Sequence, residues 1–273
     1  MEQKSVIIIT GGASGIGKYL AQSLASQGYC LVVTDIQEDS LQILAKEESW
    51  TEEQVITARL DVTSPESWQE VIDQTLQKWH RIDVLMNVAG ICVPGFIHET
   101  PFELIDRHID INLKGVIYGS KLVAPVMVKQ QQGQIINIAS LAGVAPVKGM
   151  NLYSASKFGV RGFSLAIAHE LKTYGVVVSV VCPDAVDTPM LTNLVGYKEA
   201  ALTFSGGRVL TVEDIGQVIL KKALAKKKIE VLYPATRGLY AKLGSFFTGL
   251  GGKLTNTLSK KGARKQAKLQ GHK

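Results

Sequence analysis

The body of this chain, residues 1–235 of 273, reads as a doubly wound parallel α/β sheet of about seven strands with helices on both faces. Short β-branched runs alternate with longer amphipathic segments, as in βαβ units around a sheet buried on both sides. The first run also enters a glycine-rich turn that opens a helix. A third observation is compositional: 46% hydrophobic and 20% charged residues suffice for one sizeable core, which sets aside disordered, fibrous and disulfide-stapled classes.

The strands expected, in order, are Ser5–Thr10, Cys30–Thr34, Gln54–Leu60, Asp83–Asn87, Gln134–Ala139, Val176–Val181 and Ile229–Leu232. Between them Ile16–Gln27 reads as a helix closed by Gly28, and Pro65–Trp79 as one with Ser64 at its N-cap and proline in the first helical position. Thr211 and Asp214 open a helix running to about Leu224, and helices also fit Pro101–Gln130, with an interruption allowed, and Asn151–Tyr174. No internal repeat or low-complexity linker divides the body.

Cys30, Cys92 and Cys182 are odd in number and lack metal-ligand spacing, so reduced thiols and a cytoplasmic setting are expected. The five histidines show no metal spacing either, and no metal is expected. No apolar run approaches the roughly 18 residues of a membrane span, and no signal peptide is read at the N-terminus. The formal charge of +6 is unevenly placed. From Arg237 to Lys273 there are nine basic and no acidic residues, which leaves 21 basic against 24 acidic residues in the rest. A functional boundary is therefore expected near residue 236, with 236–273 a basic amphipathic tail.

Thr10-Gly11-Gly12-Ala13-Ser14-Gly15-Ile16-Gly17 joins the first strand to the first helix. Its glycines let backbone approach a pyrophosphate, and the free N–H groups at the positive helix end attract the anion. Asp35 ends the second strand, where a carboxylate can accept hydrogen bonds from adenosine ribose hydroxyls and repel a 2′-phosphate. Ser14 and Ile36 supply no cation to neutralise that phosphate, so NAD is preferred and NADP less favoured. Tyr153 and Lys157 stand four apart in an expected helix and so share a face. An ammonium there is expected to lower the phenol pKa and tune Tyr153 for proton exchange with an alcohol or carbonyl oxygen. Ser140, just past a strand, is placed to hydrogen-bond the same oxygen.

With these residues in register, the chain resembles the classical-type short-chain dehydrogenase/reductase family over about residues 5 to 190. The resemblance implies a Rossmann-type sheet and identifies Asn112, Ser140, Tyr153 and Lys157 as the catalytic tetrad. It assigns Thr10, Gly11, Ser14, Gly15, Ile16 and Gly17 to the cofactor glycine motif, with Asp35 and Ile36 beside the ribose. Asp61 and Val62 match the adenine-pocket pair, and Asn87, Ala89 and Gly90 the segment that follows the fourth strand. Pro183, Val186 and Thr188 are assigned to the nicotinamide side, with Tyr153 and Lys157 also touching cofactor. By the same resemblance Tyr153 carries the proton, Ser140 polarises the oxygen, Lys157 also holds the nicotinamide ribose and Asn112 supports a water relay. The family pattern is departed from twice: Asp184 follows Pro183 where glycine is usual, and Val88 replaces an asparagine.

Phe96, Val144, Met150, Leu152, Met190, Leu191 and Leu194 are expected around the substrate by family position, which suggests a small apolar alcohol/ketone substrate such as a hydroxysteroid, retinoid or related lipid. Oxidation is the expected direction with NAD. The rival readings are a 3-oxoacyl-thioester reductase and a non-catalytic NAD-sensing protein. A homodimer or homotetramer is expected by resemblance. In the tail, Leu239, Leu243, Phe246, Phe247, Leu250, Leu254 and Leu258 fall in one stripe of a helix. That helix needs a surface: its own body or a partner subunit, or peripheral contact with an anionic membrane through residues 237–273. Nucleic acid is the least favoured, since no binding motif is present.

Overall fold

A computed structural model of the chain describes residues 4–246 and 248–270. Seven strands form one sheet, β1 (Val6–Thr10), β2 (Cys30–Asp35), β3 (Val55–Arg59), β4 (Val84–Asn87), β5 (Gly133–Ile138), β6 (Val176–Pro183) and β7 (Glu230–Tyr233). Their spatial order is β3-β2-β1-β4-β5-β6-β7 and every pair is parallel. All seven lie where the sequence places them, shifted by a residue or two at the ends. The chain order reverses between β1 and β4, so a crevice opens there beyond the carboxyl ends of the strands.

The helices, in order, are α1 (Gly15–Ser26), α2 (Glu38–Glu47), α3 (Pro65–Trp79), α4 (Phe102–Ile109), α5 (Gly115–Gln130), α6 (Asn151–Lys172), α7 (Pro189–Leu194), α8 (Val212–Val218), α9 (Ala235–Phe246) and α10 (Thr248–Gln270). The capping signals act as read. Ser64 Oγ accepts a hydrogen bond from Ser67 N at 3.1 Å, Thr211 and Asp214 form a reciprocal capping box, and Gly28 at φ +78° closes α1. Helix α2 is absent from the sequence reading, although Glu38 and Asp39 in its first turn, Lys46 in its last and buried Leu41 and Leu44 mark it. The interruption allowed within Pro101–Gln130 is a π-helical turn at Asp110–Lys114, centred on Asn112.

Two apolar clusters cover the sheet, one on each face. Ile7, Ile9 and Val33 pack with Leu20, Leu24, Ile215 and Ile219 on one side. Val6, Ile8 and Val32 pack with Trp68, Ile72, Val123 and Met127 on the other. Burying both faces explains why the strand runs are apolar throughout.

The expected single stripe of the tail divides. Leu239, Leu243 and Phe246 on α9 face outward, whereas Leu258 on α10 turns into the cleft described below. Phe247, and the side chains of Leu250 and Leu254, lie outside the described residues. The inner face of α10 docks on the segment 194–207: buried Gln266 donates through Nε2 to the carbonyls of Leu194, Val195 and Tyr197, the last at 2.7 Å. A Cβ at Gly262 would lie 1.8 Å from the Ala201 carbonyl oxygen. Gly262→Ala is therefore expected to push α10 off this segment, costing about 1–3 kcal/mol as overpacking does. A fall in Tm with faster proteolysis of the last 40 or so residues would show it; unchanged values would refute the docking.

Candidate functional site

One large cleft, about 1460 Å³, opens at the carboxyl edge of the sheet across the β1–β4 reversal. At its dinucleotide end the strand–turn–helix geometry is built on glycines. Gly11 (φ +69°) could not carry a Cβ without approaching the Ala89 backbone to 2.9 Å, and a Cβ on Gly17 would strike the Gly11 carbonyl at 2.1 Å. Ser14 makes no side-chain cap and α1 has no acidic residue in its first turn. Neither Ser14 nor an acidic side chain of the first turn thus occupies the positive helix end, which suits an anion. Thr10 Oγ1 ties the loop to the end of β4 by accepting from Val88 N and Ala89 N, both at 3.0 Å.

Asp35 is pre-aligned at the end of β2. Its carboxylate accepts from Ala13 N and Gln37 N, each at 3.1 Å, and it lines the cleft beside Ile36. Arg59, which the sequence reading does not consider, is the register neighbour of Asp35 across β2 and β3, but it is not among the cleft-lining residues. Asp61 accepts from the Thr63 hydroxyl at 2.7 Å and its N–H at 2.9 Å. Those bonds hold its carboxyl below the usual range. The groups present fit a nicotinamide dinucleotide: a glycine cradle that side chains would fill, an uncapped helix start and a ribose-side carboxylate.

Thr10, Gly11, Ser14, Gly15, Ile16, Gly17, Asp35, Ile36, Asp61, Val62, Ala89, Gly90, Ser140, Tyr153, Lys157, Pro183, Val186 and Thr188 all line this cleft. Asn87 and Asn112 do not. Asn87 points into the sheet layer, donating to Asn137 Oδ1 at 2.8 Å, so the segment reaches the cleft through Val88, Ala89 and Gly90. Asn112 is fully buried behind Gly90: its Oδ1 accepts from Ile91 N at 2.7 Å, and its Nδ2 donates to Ile91 O and Ser156 Oγ. The π-turn sets this inward aim, and Asn112 braces the loop after β4 against α6.

The reacting end gathers Ser140, Tyr153 and Lys157. Ser140 follows β5 and caps a short turn, accepting from Ala142 N at 3.1 Å. Its hydroxyl donates to the Pro183 carbonyl at 3.5 Å, and Ser140 and Tyr153 line the cleft together. Lys157, one turn along α6, donates to the Ile138 carbonyl at 2.9 Å with its Nζ 5.6 Å from the centre of the Tyr153 ring.

Here the expected electrostatics are corrected. Burial pushes the Tyr153 phenol above its ordinary value rather than below it, and the nearby Cys92 thiol adds to the rise while the Ser140 hydroxyl works against it. Burial also pushes Lys157 down to about 8. The physical reason is that desolvation is the largest influence on both groups, and at Tyr153 it exceeds the downward pull of Ser140. The geometry therefore holds a neutral phenol, able to give a proton, beside an amine able to gain or lose one near pH 8.

On the substrate side Met150, Met190, Leu191 and Leu194 line the cleft with Pro146, Val147 and Leu202. Phe96, Val144 and Leu152 do not. Val144 belongs to the cluster beneath α6 and Phe96 stacks on His98. The departure at Asp184 has a structural answer in the tail. Arg237 Nε pairs with Asp184 Oδ2 at 2.8 Å, and both line the cleft. Burial raises the Asp184 carboxyl and Arg237 draws it back. Arg237, Tyr240 and Leu258 thus complete the wall from α9 and α10. The acid replacing the usual glycine after Pro183 and the isolated arginine at the head of the tail were the signals that could have paired them. Among the described residues no cluster could hold a metal ion, and no helix is long and apolar enough to cross a membrane.

The short chain dehydrogenase family model matches residues 5–198. The chain is 37% identical over 217 residues to the 3-oxoacyl-[acyl-carrier-protein] reductase of Thermotoga maritima, covering 79% of this chain and 88% of that one. A short chain dehydrogenase/reductase from Burkholderia phymatum in complex with NAD superposes with a TM-score of 0.81 at 26% identity, over 92% of this chain and 97% of that one. A serine dehydrogenase complexed with NADP+ gives 0.76 at 29% identity, over 85% and 95%. This chain, with its seven-stranded parallel sheet and NAD(P)-type cleft, belongs to the short-chain dehydrogenase/reductase family of oxidoreductases.

Proposed function

We propose that the protein interconverts a secondary alcohol and a ketone on an apolar substrate, with NAD as its preferred cofactor. The observation that carries this reading is the convergence of Ser140, Tyr153 and Lys157, the last with its Nζ 5.6 Å from the Tyr153 ring centre, in one cleft that Met150, Met190, Leu191 and Leu194 also line. The dinucleotide, when bound, supplies the hydride chemistry. Thr10, Gly11, Ser14, Gly15, Ile16 and Gly17 hold the pyrophosphate end, Asp35 and Ile36 the adenosine ribose, and Asp61 and Val62 the adenine. Ala89, Gly90, Pro183, Val186 and Thr188 border the nicotinamide end.

Ser140 orients the substrate oxygen by a hydrogen bond and Tyr153 exchanges the proton with it, giving it in reduction and taking it in oxidation. Lys157 holds a positive charge near that oxygen below about pH 8 and contacts the nicotinamide ribose. Asn112 acts from behind by fixing the Gly90–Ile91 backbone and the Ser156 turn of α6. A homodimer or homotetramer in the cytoplasm, with residues 237–273 in peripheral membrane contact, belongs to the same reading; family membership supports the self-association.

A substrate panel with both cofactors tests it. Turnover of apolar secondary alcohols with NAD is the expected result. NADPH-dependent reduction of 3-oxoacyl thioesters alone would favour the second reading, to which the likeness to the Thermotoga maritima reductase lends support. Asp35→Ala is expected to lower kcat/KM for NAD by roughly 10-fold, the loss of about 1.4 kcal/mol of charge-assisted hydrogen bonding, with a smaller change for NADP. An equal loss with both would show that Asp35 does not discriminate.

A further inference from the structure

The outward faces of α9 and α10 carry two kinds of surface that the cleft does not explain. On α9, Arg237, Gly238, Ala241 and Lys242 turn to the body: Arg237 pairs with Asp184, Gly238 lies against Leu232, and Lys242 pairs with Glu230. The opposite arc presents Leu239, Leu243 and Phe246, which are 58%, 50% and 87% exposed. At helical spacing they form one apolar strip. On α10, Gly262 and Gln266 face the body, while Lys260, Lys261, Arg264 and Lys268 line a shallow outer groove. The last acidic residue in the chain is Glu230, and among the described residues no carboxylate pairs with these four cations.

The two helices converge on one place. Lys265 donates to the Gly206 carbonyl, and a Cβ on Gly206 would meet the Arg237 guanidinium. Tyr240, between the exposed strip and the cleft, belongs to both. The apolar strip and the cationic stripe are thus carried by two helices that meet over Gly206 at the mouth of a cleft lined by apolar side chains.

We propose that this face seats on an anionic lipid bilayer. Leu239, Leu243 and Phe246 enter the headgroup boundary and Lys260, Lys261, Arg264 and Lys268 meet lipid phosphates, so the cleft opens at the membrane surface. An apolar strip beside cations is the combination that interfacial helices use. Charge complementarity selects this occupant over others. A second copy in an isologous contact would set one cationic stripe against itself, and a nucleic acid would leave the leucines and phenylalanine in water. Loading of an apolar substrate from the bilayer rests on the reading of the cleft above; the binding itself does not.

The test is flotation of the full-length protein with vesicles of phosphatidylcholine alone or with 30% phosphatidylglycerol, a composition chosen for roughly one anionic lipid in three. At least about tenfold tighter binding to the anionic vesicles, falling with salt, is expected. Leu239→Ser with Leu243→Ser should weaken it by about tenfold or more, and Lys260→Glu with Arg264→Glu should erase the preference for phosphatidylglycerol. Both variants should retain wild-type turnover of a water-soluble alcohol, which separates a failure here from a failure of the proposed reaction. Equal binding to both compositions, no binding, displacement from vesicles by duplex DNA, or a change of oligomeric state in the leucine variant would each overturn the proposal.

Discussion

Tyr153→Phe is expected to lower turnover by about 10²–10⁴-fold while leaving dinucleotide affinity unchanged. The change removes one oxygen, and with it the proton that substrate must gain or lose. Ser140 keeps its bond from Ala142 N and its contact with the Pro183 carbonyl. No buried polar atom is then stranded there, and stability should move by less than about 1 kcal/mol. Stopped-flow turnover beside a fluorescence titration of NAD checks this. Retained activity would refute Tyr153 as the proton carrier, and lost NAD affinity would show that the phenol's role is binding.

Lys157→Met is expected to abolish activity and yet stabilise the protein near neutral pH. Lys157 is buried and pushed down to about 8, whereas in the unfolded chain it titrates at an ordinary lysine value near ~10.4. Between these values the unfolded chain binds more protons, so stability rises with pH through that window. Below about pH 8 the protein carries the full cost of a buried ammonium, about 3 kcal/mol for a shift of this size. Methionine of similar length avoids that cost but leaves the Ile138 carbonyl without its bond, which returns about 1 kcal/mol. The variant should thus melt several degrees higher at pH 7, with the gap closing above pH 8, gone near pH ~9.7, where the remaining cost equals the lost bond, and slightly reversed by ~10.4. Parallel melting curves across pH 6–10 would show that Lys157 carries no such cost. Wild-type carbonyl reduction should meanwhile fall as pH rises through about 8, where the cation beside Tyr153 is lost.

Such a cost at Lys157 is consistent with a site that holds its amine for chemistry rather than for stability. The pair Asp184–Arg237 is a different case. It joins the loop after β6 to the head of α9, so the wall of the cleft depends on the tail being docked.

Much of this was legible in the residues because the signals are local and physical. A run such as Val6–Ile9, β-branched and apolar at every position and leading into a glycine turn, reads as a strand covered on both faces. Ser64 with Pro65, and Thr211 with Asp214, mark helix starts because orphan N–H groups need those acceptors. The glycine turn and Asp35 announce their place because side chains at those positions would collide or repel. Helix α2 was equally marked, by its acidic start and its Leu41–Leu44 face, and was missed for want of a strong N-cap at Gln37.

What the sequence alone determined, then, is the order of strands and helices and the residue types at the crevice, since each depends on neighbours within a few positions. Only the tertiary structure decided that Asn87 and Asn112 turn away from the cleft, that Val144 is core, that Tyr153 is raised and not lowered, and that Asp184 finds Arg237 53 positions along the chain. Burial and ion pairing between distant segments are properties of packing, and desolvation, which acts on every atom a fold encloses, has no period or motif in the chain that could announce it.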